Sequence, residues 1–271
     1  MNPQSKTAWR WESDRFVVCD SVPVTDRGFR YGMSVFESLP VRGRIPYFLA
    51  GHYERLRQAC LLSGLEVGLP EFDALDALLR GIEFDGYARI YVTAGEGNIF
   101  ADTGEGSVLV FVEPRDFAQA SKPDGYRLAG HKEPHSPMFG GLKTANYWMN
   151  LLALQAARKL ECDEALLFNN SGELISASMA NVFVVQGGKI KTPAARCGAR
   201  AGVVREWVMG RREVEECSLR EDDLTTVDEI FLTNSWIGVM PVVSYDGRIL
   251  GSKDLALELR VEYGARIAEG W

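Results

Sequence analysis

The amino-acid sequence predicts an α+β fold in two domains. Strand-like and helix-like runs are mixed in both halves without strict βαβ alternation. The length of 271 residues is more than one domain of about 100–200 residues usually takes. Between the halves, Glu113–Gly125 carries Pro114 and Pro123 and little apolar periodicity, the composition of a linker. The expected division is a smaller N-terminal domain over residues 1–115, a linker over 116–124 and a larger C-terminal domain over 125–271.

Taken in order, Met1–Trp11 reads as polar and Arg15–Val24 as the first strand. Val35–Val41 alternates as a strand does, and the turn Arg42-Gly43-Arg44 leads to Ile45–Leu49, which predicts a hairpin. Gly51–Ser63, with apolar Leu56, Cys60 and Leu61, and Glu71–Leu79, with Phe72, Leu75, Leu78 and Leu79, have helical spacing. Tyr87–Ala94 and Val108–Val112 are β-rich runs on either side of a polar, glycine-rich loop. After the linker, Asn146–Leu160 predicts a helix and Glu164–Phe168 a buried strand. Asn169–Gly172 predicts a turn, with Glu173–Ile175 and Asn181–Val185 pairing around it. Gly202–Arg212 predicts a helix and Glu229–Leu232 a strand.

Composition narrows the function. A formal charge of -7 disfavours nucleic acid and anionic membranes as partners, while leaving room for a local basic pocket. The five cysteines are scattered, odd in number and form no CxxC pair, so neither a disulfide framework nor a zinc knuckle is expected. The start of the chain lacks an apolar signal segment, and no run approaches the ~20 apolar residues of a membrane span. The expectation is a soluble cytoplasmic protein.

Two features could carry chemistry. Gly198-Ala199-Arg200-Ala201-Gly202 opens into the predicted helix, whose unpaired N–H groups and positive dipole end suit an anion. By itself the pattern describes an ordinary helix start more often than a phosphate site. Lys143 is one of only eight lysines among 30 basic residues and follows Gly140, Gly141 and Leu142. A partly buried lysine loses charge more readily and becomes a nucleophilic amine, whereas a lone lysine is more often simply solvated. With only His52, His131 and His135, no hydrolase triad or HExxH zinc pattern is present.

Seven segments in order resemble the fold-type IV, or class IV aminotransferase, family of pyridoxal-5'-phosphate (PLP) enzymes. Asp26-Arg27-Gly28-Phe29-Arg30-Tyr31-Gly32-Met33-Ser34-Val35-Phe36-Glu37 is similar to its opening motif, and His52-Tyr53-Glu54-Arg55-Leu56 to its H-x-x-R-L helix. Leu142–Tyr147 resembles the lysine motif. Asp163–Leu167 and Ala180–Phe183 resemble the two strands that follow it, Gly198–Arg205 the phosphate loop, and Phe231–Ser235 with Pro241-Val242 the last motif. The likeness spans nearly the whole chain. It implies a small α/β domain followed by a larger α/β pseudo-barrel that binds PLP, a homodimer, and a small amino substrate. Lys143 would hold the cofactor as a Schiff base and later move the α-proton. Arg55, the backbone N–H groups of Val203 and Val204, and Ser235 would hold its phosphate. Val204 and Ser235 both stand where threonine is frequent. Tyr147 would lie near the ring, and Tyr31, Phe36, Tyr87 and Arg89 would line the substrate pocket.

One departure bears on the reaction. The family usually places a glutamate against the pyridine nitrogen, and here Leu174-Ile175-Ser176-Ala177 puts Ser176 in its place. Glu173, three residues away on a strand, points to the opposite face. A hydroxyl leaves the ring a weaker electron sink than a carboxylate does. A lyase that aromatises its product tolerates this better than an aminotransferase. The stretch Thr233–Val242 also looks more like the aminodeoxychorismate lyases than like the G-T-A-A-E pattern of the aminotransferases. The leading expectation is therefore aminodeoxychorismate lyase. The alternatives are an aminotransferase acting on D- or branched-chain amino acids, and a degenerate PLP-binding protein.

Overall fold

The computed structural model describes residues 7–98, 106–120 and 122–268. The glycine-rich loop expected before Val108 falls largely on residues 99–105, outside the described residues, as do residues 1–6 of the polar N-terminal stretch. The described chain forms two compact units. One runs to Ala118 and includes Leu142–Asn146; the other holds Gln119–Gly141 and the described residues from Tyr147 onward. The segment carrying Lys143 thus belongs with the first unit, although it lies within the sequence of the second. No helix of the described residues is long and apolar enough to cross a membrane.

The first unit contains β1 (Thr7–Glu12), β2 (Arg15–Val18), α1 (Arg27–Tyr31), β3 (Ser34–Arg42), β4 (Ile45–Pro46), α2 (Leu49–Ser63), α3 (Phe72–Arg80), β5 (Gly86–Thr93) and β6 (Ser107–Pro114). Its sheet has the order β2-β1-β6-β5-β3-β4, every neighbouring pair antiparallel. Val35, Leu39 and Val41 of β3 and Ala88, Ile90 and Val92 of β5 are fully buried, forming a core with Leu56 of α2 and Leu75 and Leu79 of α3. The predicted strand Arg15–Val24 is shorter than expected. It ends at Val18, because Pro23 donates no N–H and Val22 and Val24 are exposed. The polar stretch Met1–Trp11, where no strand is expected, includes most of β1, whose Trp9 and Trp11 alternate with Arg10 and Glu12 and pack on the core.

The second unit contains β7 (Tyr126–Gly130), α4 (Trp148–Lys159), β8 (Glu164–Phe168), β9 (Leu174–Ala177), β10 (Asn181–Gln186), β11 (Lys189–Pro193), α5 (Val203–Met209), β12 (Val214–Cys217), β13 (Glu229–Asn234), β14 (Gly238–Tyr245), β15 (Arg248–Ile249) and α6 (Asp254–Ala268). Strand order is β12-β11-β10-β13-β14-β7-β8-β9, with β15 on β14. β7 runs parallel to both β8 and β14. The two ends of the sheet meet: Leu174 N donates to Leu219 O (2.6 Å), and Glu173 bridges Arg220, just past β12. The sheet therefore curls onto itself as a pseudo-barrel around Leu128, Leu166, Val184, Ile230, Leu232, Met240 and Val242. The expected pairing of Glu173–Ile175 with Asn181–Val185 is not formed. Across the Asn169–Gly172 turn β9 returns along β8, and β10 lies between β11 and β13.

Candidate active site

In the first unit the Lys143 segment lies against the start of β3. Phe36 N donates to Lys143 O (2.9 Å) and Ala145 N to Ser34 O (2.9 Å), with a bridge between Val35 and Thr144. These bonds fix the backbone of the lysine. Its ammonium sits 4.1 Å from the centroid of the Phe36 ring, which in turn stacks on Tyr91 at 5.2 Å. The opening motif secures the same place. Asp26 caps α1 through Gly28 N (2.7 Å) and accepts from the Thr93 hydroxyl (2.7 Å). Gly32 ends α1 at φ +70, where a Cβ would lie 2.3 Å from Asn146 Oδ1; Asn146 in turn donates to Gly32 O (3.0 Å). Glycine is required there on both counts.

Along β3, alternation sends Glu37 to the opposite face from Phe36, toward α2. Glu37 is almost fully buried and receives two bonds from Arg55, Nε to Oε1 at 2.6 Å and Nη2 to Oε2 at 2.5 Å. His52, also fully buried, donates from Nδ1 to Oε2 at 2.7 Å. His52 and Arg55 stand three apart on α2 and so share one helical face. Burial alone would raise the Glu37 carboxyl, but the Arg55 charge and the hydrogen bonds from His52 and Arg55 outweigh it. They hold Glu37 far below the usual carboxylate range. Burial keeps His52 below its ordinary value even though Glu37 pulls it upward, so the imidazole is neutral at pH 7.

The remaining candidates of this unit divide. Register puts Phe36 opposite Tyr91, Ser38 opposite Arg89 and Pro40 opposite Tyr87, so Phe36, Arg89 and Tyr87 share one face of the sheet. Arg89 is paired with Glu113 (3.1 Å) and lies 5.5 Å from the Tyr87 ring. Tyr31 stands apart at the end of α1, exposed, with the Arg30 guanidinium 4.9 Å from its ring.

In the second unit, Val203 and Val204 begin α5. Its cap is Gly202, which offers no side-chain acceptor, so these two N–H groups have no protein acceptor among the described residues. The loop before them is closely packed. A Cβ on Gly202 would lie 1.9 Å from Asn181 Oδ1, and one on Gly141 (φ +95) 2.5 Å from Gly198 O. Uncapped amides behind side-chain-free backbone are what a phosphate group requires, and the donor set fits PLP. Ser235 lies in the β13–β14 turn, where Asn234 Oδ1 accepts from Trp236 N and Ile237 N (both 2.8 Å). Tyr147 precedes α4 and accepts from Arg200 Nη1 at 2.7 Å. Ser176 is half-buried on β9 opposite Leu167. Nearby carboxylates are committed elsewhere. Glu173 binds Ser218 (2.6 Å) and Asn169 (2.9 Å), and buried Glu164 binds the hydroxyl and amide of Ser178 and the amides of Ala165 and Met179. Burial pushes Glu164 above the usual carboxylate range.

The family model for class IV amino-transferases matches residues 34–245. The chain belongs to the class IV aminotransferase family. As a member of it, the chain is a PLP-dependent enzyme. An aminodeoxychorismate lyase of Vibrio harveyi is 30% identical over 82% of this chain and 86% of its own. A D-alanine aminotransferase of Bacillus licheniformis is 25% identical over 86% of each. A crystal structure of an aminotransferase from Brucella abortus bound to PLP has a TM-score of 0.82 at 22% identity, covering 96% of this chain and 98% of its own.

Two groups of this class IV member escape sequence reasoning. Glu37 and His52 lie inside the quoted motifs, yet nothing in their spacing reveals that Glu37 binds both the Arg55 guanidinium and the His52 ring. Arg200 lies inside the glycine loop, and its partners are far away in sequence. The glycine packing has a testable result. Gly141→Ala forces both a strained φ and a backbone contact, so it is expected to lose at least ~1–3 kcal/mol of stability, read from thermal melts with and without PLP.

Proposed function

We propose that this enzyme is an aminodeoxychorismate lyase, splitting 4-amino-4-deoxychorismate into 4-aminobenzoate and pyruvate. Bound PLP supplies an aldehyde that condenses with amines and a ring that draws off electrons from the adjoining carbon. Lys143 provides the amine that holds the cofactor and then carries a proton to and from the substrate. Arg55, the Val203 and Val204 amides and Ser235 would each contribute to holding the phosphate, Arg55 by its positive charge, since its Nε and Nη2 already bind Glu37. Tyr147 would lie near the ring. Tyr31, Phe36, Tyr87 and Arg89 recognise the substrate.

The observation that carries the lyase reading is Ser176. It stands where a carboxylate would hold the ring nitrogen protonated, and neither Glu173 nor Glu164 is free to replace that carboxylate. Aromatisation of the product supplies driving force that amino transfer lacks, and the reaction balances without a second substrate. The lyase from Vibrio harveyi supports the same reading. The D-alanine aminotransferase and relatives named as branched-chain-amino-acid aminotransferases favour a second reading, amino transfer from D- or branched-chain amino acids.

Products decide between them. The holoenzyme is expected to release 4-aminobenzoate and pyruvate in equal amounts with no keto acid added. A keto acid formed from an amino acid only when a second keto acid is present, with no 4-aminobenzoate, sinks the lyase reading. Ser176→Glu is expected to raise amino transfer relative to lysis by roughly tenfold, since it restores charge at the ring nitrogen. The ratio of the two product assays measures this.

Cytoplasmic location and a homodimer complete the proposal. The dimer is supported by α4, which leaves Trp148, Met149, Leu151 and Leu152 exposed.

A further inference from the structure

We infer that Arg200 is a positioning residue that fixes the chain on both sides of Lys143. The inference rests on the reading of Lys143 as the cofactor-bearing amine, and no part of the sequence motif points to it.

Arg200 is itself well anchored. Its carbonyl accepts from Asn181 Nδ2 (2.8 Å), and Asn181 is buried. The loop before it is held by Asn169 Nδ2, which donates to Cys197 O (3.1 Å). From this base the guanidinium makes two directed contacts. Nε donates to Gly141 O (3.2 Å), and Nη1 donates to the Tyr147 hydroxyl (2.7 Å), with the charge 5.6 Å from the Tyr147 ring. Gly141 is two residues before Lys143 and Tyr147 four residues after it. One planar side chain therefore pins both ends of the five-residue span Leu142–Asn146. The same loop presses on Gly141 through Gly198 O, which leaves no room for a Cβ.

Pinning both ends removes conformational freedom that the lysine would otherwise lose on each turnover. Arginine suits the task because its donors diverge in one plane, while an ammonium on a flexible stem acts as a point charge. Accepting from Arg200 also directs the O–H of Tyr147 away from the guanidinium.

The test uses the holoenzyme and four variants: Arg200→Met, Arg200→Lys, Tyr147→Phe and the double variant Arg200→Met with Tyr147→Phe. Cofactor dissociation constants, the pH midpoint of the visible cofactor band and kcat/KM are measured for each. Arg200→Met is expected to keep the band, to shift its pH midpoint by about half a unit or more and to weaken PLP binding about tenfold. Arg200→Lys should recover only part of this. In the double variant the loss should match that of Arg200→Met alone within about threefold, since the two groups act through one contact. Independent, multiplying losses would overturn the inference, as would an unmoved midpoint and affinity in Arg200→Met. Should Arg200→Met fail to fold, Tyr147→Phe removes the same contact more gently, and an unmoved midpoint there is equally fatal. A band that persists in Lys143→Ala would instead overturn the reading of Lys143 and leave Arg200 aside.

Discussion

Lys143→Ala will lack the visible absorbance band that PLP gives the wild-type protein, and its turnover will fall by at least ~10³-fold. The size follows from removing one amine that serves as both covalent anchor and proton carrier. The fold should survive. Lys143 joins β3 through backbone bonds that an alanine still makes, and its ammonium lies over the Phe36 ring. Spectra of the PLP-saturated proteins, with a melting curve for each, measure both parts. A wild type without the band would leave the chain with a binding role only and would end the catalytic proposal.

Arg55→Met will destabilise the protein and also lower its selectivity for the phosphorylated cofactor. The guanidinium neutralises Glu37, which is almost fully buried, so removing it strands a carboxylate in the core. Breaking a buried pair in this way costs roughly 3–5 kcal/mol, a fall in melting temperature on the order of 10 °C for a chain of this size. If Arg55 also binds the phosphate, the preference for PLP over pyridoxal should shrink by one to two orders of magnitude, about 1.4 kcal/mol per decade. Parallel titrations with the two compounds measure it. Glu37→Gln should cost less stability, because a neutral amide is cheaper to bury than a lone charge.

The same cluster sets the acid limit of the fold. Both Glu37 and His52 have pKa values below those of the unfolded chain. The unfolded state therefore takes up more protons, and both contributions are full at neutral pH and lost as pH falls. His52 begins to cost stability below about pH 6.5, the ordinary histidine value, and Glu37 below about pH 4.3. His52→Asn should remove the upper part of this dependence. Denaturant midpoints measured from pH 8 to pH 4 would show it, and an unchanged slope between pH 7 and 5 would count against it.

Much of the architecture was legible in the sequence where apolar spacing is strong. The helix predicted over Gly51–Ser63 is α2, and the buried strand Glu164–Phe168 is β8. Where the signal was short or mixed with charge, it misled. Trp9 and Trp11 carried a period of two, but the alternating Arg10 and Glu12 made the start of the chain read as polar instead of as β1. The pairing of β9 failed for another reason. Turn residues at Asn169–Gly172 say that the chain reverses there, but they do not identify the partner strand. That partner is β8, directly before the turn.

What the sequence alone determined was the chemical inventory: one lysine set among glycines, a glycine loop opening a helix, and a serine, Ser176, where the family resemblance implies a glutamate. These are local facts, since residue type and backbone preference are settled within a few positions along the chain. Only the tertiary structure decided which groups meet. Arg55 reaches Glu37 from 18 residues away, and Arg200 reaches Tyr147 from 53. Such contacts depend on strand order, on register and on the curl that joins β9 to the segment after β12. Burial then fixes their strength, because the same ions would be screened and weak in water.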